Sequence, residues 1–464
     1  MDTTKVSRFA AQVSRFRARF AQGSGSALGS LLGQAELEQR VVRHSAGCRK
    51  RIYPPLITLS MFIDQVLSAD QSCQDAVARG VSARVSQGEK PCGLNNGPYC
   101  KARQRLAPAL LTALCEAVGR RMMKAQPPAW RWRGREVKLI DGATMSMPDT
   151  AANQRSYPQV VQQQAGLGFP IVRMVGIISL SCGAILEWAI GPCEGKKSGE
   201  TSMLWRMGAG LGRGDIVLAD RYYAGYFMLA RLLAQGVDVV TRQHQLRHTR
   251  FQRGAHLGKC DHVVLWSRPP RPAWMDKATY ATMPETLRLR ECRIGSWILV
   301  SSLCDATAVS KQDLQELYNW RWHIELDFRA IKAVMQMDVL RCKTPAMIEK
   351  EIAVHLLAYN LVRSVMAQAA VLATLLPRQL SFKGALQQLR AFERNVRHGK
   401  HAFIGHAIEY LLLGIARLKL PHRPGRVEPR AVKRRGKNLP FLTKPRAEER
   451  ARLLKLRQQY IHNQ

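Results

Sequence analysis

The chain has 464 residues, which is long enough for two or three domains and a substantial hydrophobic core. Its hydrophobic content of 46% is typical of a globular protein and excludes a largely disordered one. With 71 Lys and Arg against 34 Asp and Glu, the net charge is +37, which indicates a polyanionic partner, nucleic acid before an anionic membrane surface.

Neither a membrane anchor nor a metal-binding cysteine motif is predicted. The most apolar run, residues 174–190, contains Gly183 and Glu187 and is interpreted as a hairpin rather than a membrane span. The 11 cysteines are odd in number and form no C-x2-C pair. They are therefore expected to be reduced thiols of a cytoplasmic protein, without a zinc site.

Residues 1–128 are predicted to form a helical domain. Pro54-Pro55 opens one helix and Ser72 caps another, and a long basic helix is predicted to follow from Pro98 to Met123. A compact helical domain with basic faces suits docking on DNA. A purely structural helical cap is the alternative.

From residue 135 to residue 242 the pattern changes to strand, strand, strand, helix, strand, helix, strand. That is the order of an RNase H-like α/β core, whose first and fourth strands are neighbours. Asp141 is predicted to end the first strand and Asp220 the fourth, so their carboxylates are expected to converge. For either aspartate alone, capping of the next element is the alternative.

Three further regions complete the predicted architecture. Residues 243–307 contain β-leaning runs and several prolines and are interpreted as a β-rich insertion. Residues 308–372 are predicted to form the second part of the core, and residues 373–464 a helical region with a basic tail. From Arg417 onward, 15 Lys and Arg stand against 3 Glu. This tail is expected to be extended and to contact DNA, and a merely solubilising tail is the alternative.

The stretch 317–332 contains the densest set of chemically useful side chains. It has no Gly or Pro, so a single helix is predicted. At about 100° per residue, four polar side chains fall within an arc of roughly 60°; they are Tyr318, Arg321, Glu325 and Lys332. A solvated, charged helix face is the alternative to a functional site.

The pattern Y-x2-R-x3-E-x6-K formed by these four residues resembles the signature of DDE transposases of the insertion-sequence-four family. The segment Asp141-Gly142-Ala143-Thr144 resembles the one around that family's first acid, and residues 218–223 resemble the one around its second. The resemblance covers roughly residues 40–445. It implies an RNase H-like catalytic core interrupted by a β-rich insertion, an N-terminal helical domain that recognises transposon ends, and a helical, basic C-terminal region.

The resemblance implies that Asp141, Asp220 and Glu325 are catalytic and hold two divalent cations. Oxygen ligands of this kind suit Mg²⁺, and Mn²⁺ is expected to substitute for it. The implied reaction is cleavage of double-stranded DNA at the transposon ends and strand transfer into target DNA, through a hairpin intermediate. A homodimer is expected to hold the two ends, without a nucleotide cofactor and without a membrane.

Further residues acquire DNA-binding roles through the same resemblance. Tyr318 and Arg321 are expected to contact phosphates near the cut, and Lys332 to hold the same backbone further along. Arg221 lies beside the expected metal site, where a salt bridge that stabilises the site is the alternative. An aromatic residue of the insertion is expected to stack on a flipped base. The candidates are Trp266, which is preferred, Trp274, and Trp297, which is expected to pack in the core instead.

Several other functions receive less support. Residues 191–198 resemble a P-loop but are one residue short between the glycines. His244, Arg247 and Tyr280 imitate part of a tyrosine recombinase, yet they lie in the β-rich segment, whereas such enzymes carry these residues in a helical domain. A nuclease that cuts without joining, and an inactive or domesticated DNA-binding protein, remain open alternatives.

Overall fold

The computed structural model describes residues 31–44, 52–86, 88–195, 198–398, 401–421 and 441–462. The start of the predicted N-terminal domain, two lysines of the P-loop-like segment and most of the proline-rich tail lie outside the described residues.

The described helices are Gln34–His44 (α1), Pro55–Leu67 (α2), Cys73–Ser86 (α3), Gly97–Arg105 (α4), Pro108–Ala125 (α5), Ala151–Ser156 (α6), Glu200–Arg206 (α7), Tyr226–Ala234 (α8), Lys277–Ala281 (α9), Lys311–Asn319 (α10), His323–Arg329 (α11), Pro345–Ala373 (α12), Phe382–His398 (α13), His401–Arg417 (α14) and Arg446–His462 (α15). Short 3₁₀ turns occupy Pro128–Trp130, Arg221–Tyr223, Trp320–Trp322 and Pro377–Gln379, and a π-helical turn occupies Ala330–Val334. The strands are Val137–Ser146 (β1), Ile171–Ser179 (β2), Ile185–Pro192 (β3), Ile216–Ala219 (β4), Asp238–Arg242 (β5), Ala255–Gly258 (β6), Asp261–Ser267 (β7), Thr286–Ile294 (β8) and Trp297–Ser301 (β9).

The strands form one mixed sheet in the order β3-β2-β1-β4-β5-β9-β8-β7-β6. β1 pairs in parallel with β4, and β4 with β5, while the other neighbours are antiparallel. The expected adjacency of the first and fourth strands is therefore confirmed. The strands of the segment 243–307 continue the same sheet, because β9 pairs with β5.

Both faces of the sheet are covered. Alternate residues of β1 enter two hydrophobic clusters: Leu139 belongs to a large one and Ile140 to a smaller one on the opposite face. The large cluster includes residues of α2, α5, α11 and α12, and the smaller one residues of α7 and α8. The sheet is thus a central layer between two helical layers, and α2 and α5 share the core of the sheet.

The helix α12 is the central scaffold of the large cluster. Within the described part of the chain it is the one helix long and apolar enough to cross a membrane, and 72% of its apolar window is buried inside the protein. A core helix of a globular protein has this composition because it is surrounded by apolar side chains.

Two segments differ from their predicted conformation. The long basic helix divides into α4 and α5, because Pro108 begins α5 and the preceding Ala107 is extended. The basic tail is not extended throughout, since residues 446–462 form α15. This segment follows Pro445 and contains no proline of its own, and an ion pair of 3.0 Å between Arg452 and Glu449 supports it.

The segment 317–332 is not one regular helix. The chain passes from α10 through a 3₁₀ turn into α11 and then into the π-helical turn, so a projection at 100° per residue does not hold through Lys332. The last turn widens where Met335 N–H donates to the carbonyl of Ala330 at 3.0 Å, and Gln336 ends the segment with a φ of +58°. Met335 is fully buried, so packing of this end into the core accompanies the change of pitch.

Candidate active site

Two of the predicted acids lie side by side at one edge of the parallel strand pair. The register of β1 and β4 ends with Ile140 opposite Ala219, and the next residues in the chain are Asp141 and Asp220. The prediction that Asp141 ends its strand is wrong, because β1 continues to Ser146 in pairing with β2. What ends at Asp141 is the pairing with β4, so the two carboxylates still share one edge.

A guanidinium joins the first acid to the third. Arg321 Nη1 lies 3.4 Å from Asp141 Oδ2, and Nη2 lies 2.8 Å from Glu325 Oε1. The side chain of Arg321 is 17% exposed and that of Glu325 is 38% exposed. Arg321 and Glu325 are four residues apart across the junction of the 3₁₀ turn and α11, which places both groups over the edge of β1.

Asp141 has an unusual electrostatic environment. Burial raises the pKa of its carboxyl to about 6, and the nearby negative charges of Asp220 and Glu200 act in the same direction. The N–H of Gly142, at 2.8 Å from Oδ1, and Arg321 oppose the shift of this pKa. Ionisation of Asp141 is therefore unfavourable in this buried position, and a bound cation would stabilise the ionised carboxylate.

Asp220 is held by its own backbone. Its Oδ1 accepts a hydrogen bond from the N–H of Tyr222 at 2.7 Å, so the side chain caps the 3₁₀ turn that follows β4. The hydroxyl of Thr241 on β5 donates to the carbonyl oxygen of Asp220 at 2.8 Å. The capping predicted as an alternative is thus present, and it also fixes the residue at the sheet edge beside Asp141.

The residue types at this site suit a divalent cation. Carboxylate oxygens are the donors that hard cations prefer, and the Arg321 guanidinium already places positive charge between Asp141 and Glu325. Among the described residues, no three His, Cys, Asp or Glu side chains surround one point closely enough to hold a metal ion in this conformation. A cation shared by Asp141 and Glu325 would therefore take the position that the guanidinium holds here.

The other residues of the predicted signature differ in exposure. Tyr318 is 4% exposed, and burial raises the pKa of its phenol to about 12. Its positive neighbours are Arg321 and Arg242, both close enough to lower that pKa in part. Lys332 is half-buried in the π-helical turn, and Arg221 is exposed directly after Asp220. Arg321 thus contacts Asp141, and Arg221 follows Asp220 directly in the chain. The burial of Tyr318 argues against its predicted contact with a DNA phosphate.

The tryptophans are arranged differently from the prediction. Trp266 is 2% exposed, its Nε1 donates to Glu291 Oε1 at 2.7 Å, and Arg247 covers its ring at 3.4 Å from the centroid. This burial argues against Trp266 as a platform for a base. Trp297 is 41% exposed, so the prediction that it packs in the core is wrong.

Trp297 lies at the edge of the sheet that carries Asp220. It begins β9, and Arg242, the last residue of β5, lies over its ring at 4.4 Å from the centroid. β5 runs parallel to β4, so Arg242 is at the same edge of the sheet as Asp220. Trp274 is also exposed, but it packs edge-on against Trp205 of α7 on the other side of the sheet.

A fourth acid was missed from the sequence. Glu200 begins α7, and a methyl group at Gly142 would overlap its carboxylate. The hydroxyl of Tyr223 donates to Glu200 Oε2 at 3.0 Å, and Arg173 Nε lies 3.8 Å from Oε1. A lone Glu in the first turn of a helix is common, so no sequence signal distinguished this one.

A buried ionic cluster was missed as well. Asp327, two residues after Glu325, is fully buried and accepts hydrogen bonds from Arg363, from Arg378 at 2.5 Å and from Tyr359 at 2.8 Å. Tyr359 and Arg363 are four residues apart in α12 and therefore lie on one helix face. This spacing was the only sequence signal of the cluster.

Comparison with known proteins agrees with this geometry. The family described as "Transposase DDE domain" matches residues 132–361, which include all three acids at the sheet edge and in α11. The class of protein is therefore that of the DDE transposases.

The chain is also 28% identical over 346 residues to "Transposase InsG for insertion sequence element IS4" of Escherichia coli (strain K12), an alignment that covers 72% of this chain and 76% of that protein. The chain belongs to the DDE transposases of the insertion-sequence-four family.

Proposed function

We propose that this protein is a cut-and-paste transposase that binds the terminal inverted repeats of an insertion sequence. It would cleave DNA strands at these ends and join them to target DNA in a Mg²⁺-dependent reaction. The observation that carries the proposal is that Asp141 and Asp220 lie side by side at one sheet edge and that Arg321 joins Asp141 to Glu325.

The strand order supports an RNase H-like core. The first five strands are arranged β3-β2-β1-β4-β5, with β1, β4 and β5 parallel and the three acids at β1, after β4 and on α11. In this proposal, strands β6 to β9 are the insertion between the second and third acids. Residues 1–128 would serve end recognition, and residues 373–464 would form the helical, basic C-terminal region.

In the proposed reaction, Asp141, Asp220 and Glu325 would hold two divalent cations, and Asp141 would contribute to both. When bound, Mg²⁺ would activate a water or a 3′-hydroxyl and stabilise the leaving oxygen. Arg321 would exchange its contacts with Asp141 and Glu325 for a DNA phosphate, because a guanidinium pairs well with phosphate oxygens. Arg221 and Lys332 would hold the same DNA backbone. Tyr318, which was expected to contact a phosphate, is buried and would instead support Arg321 from within the protein.

Trp297 is the aromatic residue whose position fits contact with a DNA base. It is exposed at the edge that carries the acids, and Arg242 over its ring can pair with a nearby phosphate. This assignment replaces Trp266, whose ring is covered by Arg247. A hairpin intermediate, action as a homodimer on two ends, and a cytoplasmic location complete the proposal.

A cleavage assay on linear DNA that carries the element's own ends tests the proposed function. The wild-type protein and Glu325→Gln would be compared with Mg²⁺, with Mn²⁺ and without a divalent cation, on a denaturing gel that separates nicks from hairpins. We expect cation-dependent hairpin formation or double-strand breakage by the wild type. Glu325→Gln should lose this activity by at least about a thousandfold and still bind the ends.

Other outcomes distinguish the alternatives. Cleavage without joining of the freed ends to target DNA would indicate a nuclease without strand transfer. End binding without cleavage by the wild type would indicate an inactive DNA-binding protein. Protein attached covalently to the DNA would contradict a metal-dependent mechanism and would favour a tyrosine recombinase.

A further inference from the structure

Glu200 occupies a position behind the predicted metal site. Along β1, residues alternate between the two faces of the sheet: Asp141 lies on the face of Leu139 and α11, and Gly142 on the face of Ile140 and α7. Glu200 is in the first turn of α7, so its carboxylate reaches Gly142 from the face opposite to Glu325. It is therefore placed to act on the backbone next to Asp141 rather than to share a cation with Glu325.

The approach of Glu200 requires glycine at position 142. A Cβ atom there would overlap Cδ and Oε1 of Glu200 and would lie 2.8 Å from Oε2. The backbone at position 142 does not have a positive φ, which would by itself favour glycine. The absence of a side chain at this point therefore serves the contact with Glu200 rather than a turn.

The same carboxylate is tied to the segment of the second acid. Tyr223, three residues after Asp220, is 2% exposed and donates its hydroxyl to Glu200 Oε2 at 3.0 Å. Arg173, on the neighbouring strand β2, lies 3.8 Å from Oε1. One side chain thus contacts the backbone after Asp141, the turn after Asp220 and the strand β2.

We infer that Glu200 is a positioning residue that holds the two aspartate-bearing segments in register for cation binding. The inference rests on the proposed function, because the geometry being held is that of a metal site. Glu200 acts through Gly142 and Tyr223 and does not itself contact a reacting atom. Its negative charge adds to the attraction for a cation at the other face of β1.

A double-mutant cycle between positions 142 and 200 tests this inference on the full-length protein. The Mn²⁺ affinity would be measured by electron paramagnetic resonance titration, and the rate of end cleavage would be measured in parallel. We expect Gly142→Ala to weaken Mn²⁺ binding by about tenfold or more, because the new methyl group displaces either Glu200 or β1. In the Glu200→Ala background, Gly142→Ala should have almost no further effect, since the space is then free.

Two further variants separate a positioning role from simple packing. Glu200→Gln keeps the shape and still accepts a hydrogen bond from Tyr223, so a purely structural residue would tolerate it. We expect it to weaken Mn²⁺ binding by about three- to tenfold through loss of charge, with unchanged affinity for the DNA ends. Tyr223→Phe should have a smaller effect, which should vanish when position 200 is Ala.

Matched controls are available in the chain. Gly176→Ala changes the residue opposite Asp141 on β2, where the new methyl group would be 3.7 Å from its nearest neighbour. Glu349→Gln removes a carboxylate that is far from position 200 in the sequence and accepts a hydrogen bond from Tyr157. Both should leave Mn²⁺ binding as in the wild type, and circular dichroism would show whether each variant is folded.

The outcomes are distinct. Wild-type Mn²⁺ affinity in Gly142→Ala, or an equal loss on Gly142→Ala with and without Glu200, would overturn the inference and leave the proposed function intact. Absence of both Mn²⁺ binding and cleavage in the wild type would overturn the proposed function and the inference together. A loss of Mn²⁺ affinity on Gly142→Ala that occurs only when Glu200 is present would support both the inference and the proposed function.

Discussion

Two carboxylates on α11, two residues apart in the sequence, differ in burial and in their partners. Asp327 is fully buried and is bonded to Arg363, Arg378 and Tyr359, which come from other elements. Glu325 has a half-exposed side chain whose ion pair is to Arg321, four residues earlier on its own segment. The first arrangement anchors α11, whereas the second can open without disturbing the core.

The buried face of α11, which carries Asp327, is connected to the sheet. Arg378 also donates to the carbonyl oxygens of Leu180, at 2.7 Å, and Ser179, at 2.9 Å, at the end of β2. The guanidinium of Arg363 lies against Gly183 in the turn between β2 and β3. One buried carboxylate therefore links α11, α12 and the β2–β3 turn. The comparison shows that one face of a helix can be fixed in the core while the charged side chains on its other face remain free to rearrange around a ligand.

The largest expected contrast concerns stability. Asp327→Ala should lower the free energy of unfolding by about 3–5 kcal/mol, because two buried arginines would lose their counter-charge. Glu325→Ala should change it by less than about 0.5 kcal/mol, because its ion pair is partly solvated. Urea denaturation followed by circular dichroism measures both. Equal losses for the two variants would show that the contrast between the faces is wrong.

Two tryptophans of the β6–β9 region, Trp266 and Trp297, should show a similar contrast. Trp266→Ala should cost about 3–5 kcal/mol of stability, since the ring is buried and hydrogen-bonded to Glu291. Trp297→Ala should cost less than about 1 kcal/mol, and it should weaken binding of the cleaved DNA end by about 1–3 kcal/mol. Denaturation and fluorescence anisotropy with end DNA give the two values. Unchanged DNA affinity in folded Trp297→Ala would remove this residue from the proposed interface.

Arg321 should compete with a cation in the absence of DNA. Its guanidinium lies between Asp141 and Glu325, so Arg321→Met should raise the Mn²⁺ affinity of the DNA-free protein by about tenfold. The same variant should cleave DNA at least about tenfold more slowly, because a phosphate contact is lost. Arg329→Met, which changes an exposed arginine at the end of α11, is the control. Weaker Mn²⁺ binding in Arg321→Met would mean that the arginine assists the cation instead.

The helix α12, which holds Asp327 through Tyr359 and Arg363 and also contains His355, should be sensitive to acid. Burial lowers the pKa of His355, and nearby Arg341 acts in the same direction, against the negative charge of Glu351. Because the folded pKa is below the ordinary value of 6.5, the unfolded chain takes up a proton first as the pH falls. Stability should therefore decrease below pH 6.5, by up to about 1.4 kcal/mol per pH unit from this residue.

His355→Met isolates this contribution. The difference in unfolding free energy between wild type and variant should change with pH below 6.5 and be constant above it, because the other titrations occur in both proteins. Urea denaturation at several pH values gives this difference. A constant difference at every pH would show that His355 does not titrate between the folded and unfolded states.

The sequence determined the local chemistry of this protein. Apolar runs followed by Asp141 and Asp220 predicted two strands with acids at one edge, and β1 and β4 are indeed parallel neighbours. The spacing of Arg321 and Glu325 predicted that the two side chains would share one helix face, and they are 2.8 Å apart. The strand and helix character of these segments follows from short-range periodicity, which one segment contains in full, whereas the adjacency of β1 and β4 was expected from the order of the elements along the chain.

Only the tertiary structure decided which side chains became buried partners. The burial of Trp266 depended on Glu291, from β8, and on Arg247, from the loop between β5 and β6. The contact of Glu200 with Gly142 and the bonds of Arg363 and Arg378 to Asp327 join residues far apart in the chain. The physical reason is that burial and charge pairing depend on neighbours in space, which no local pattern specifies.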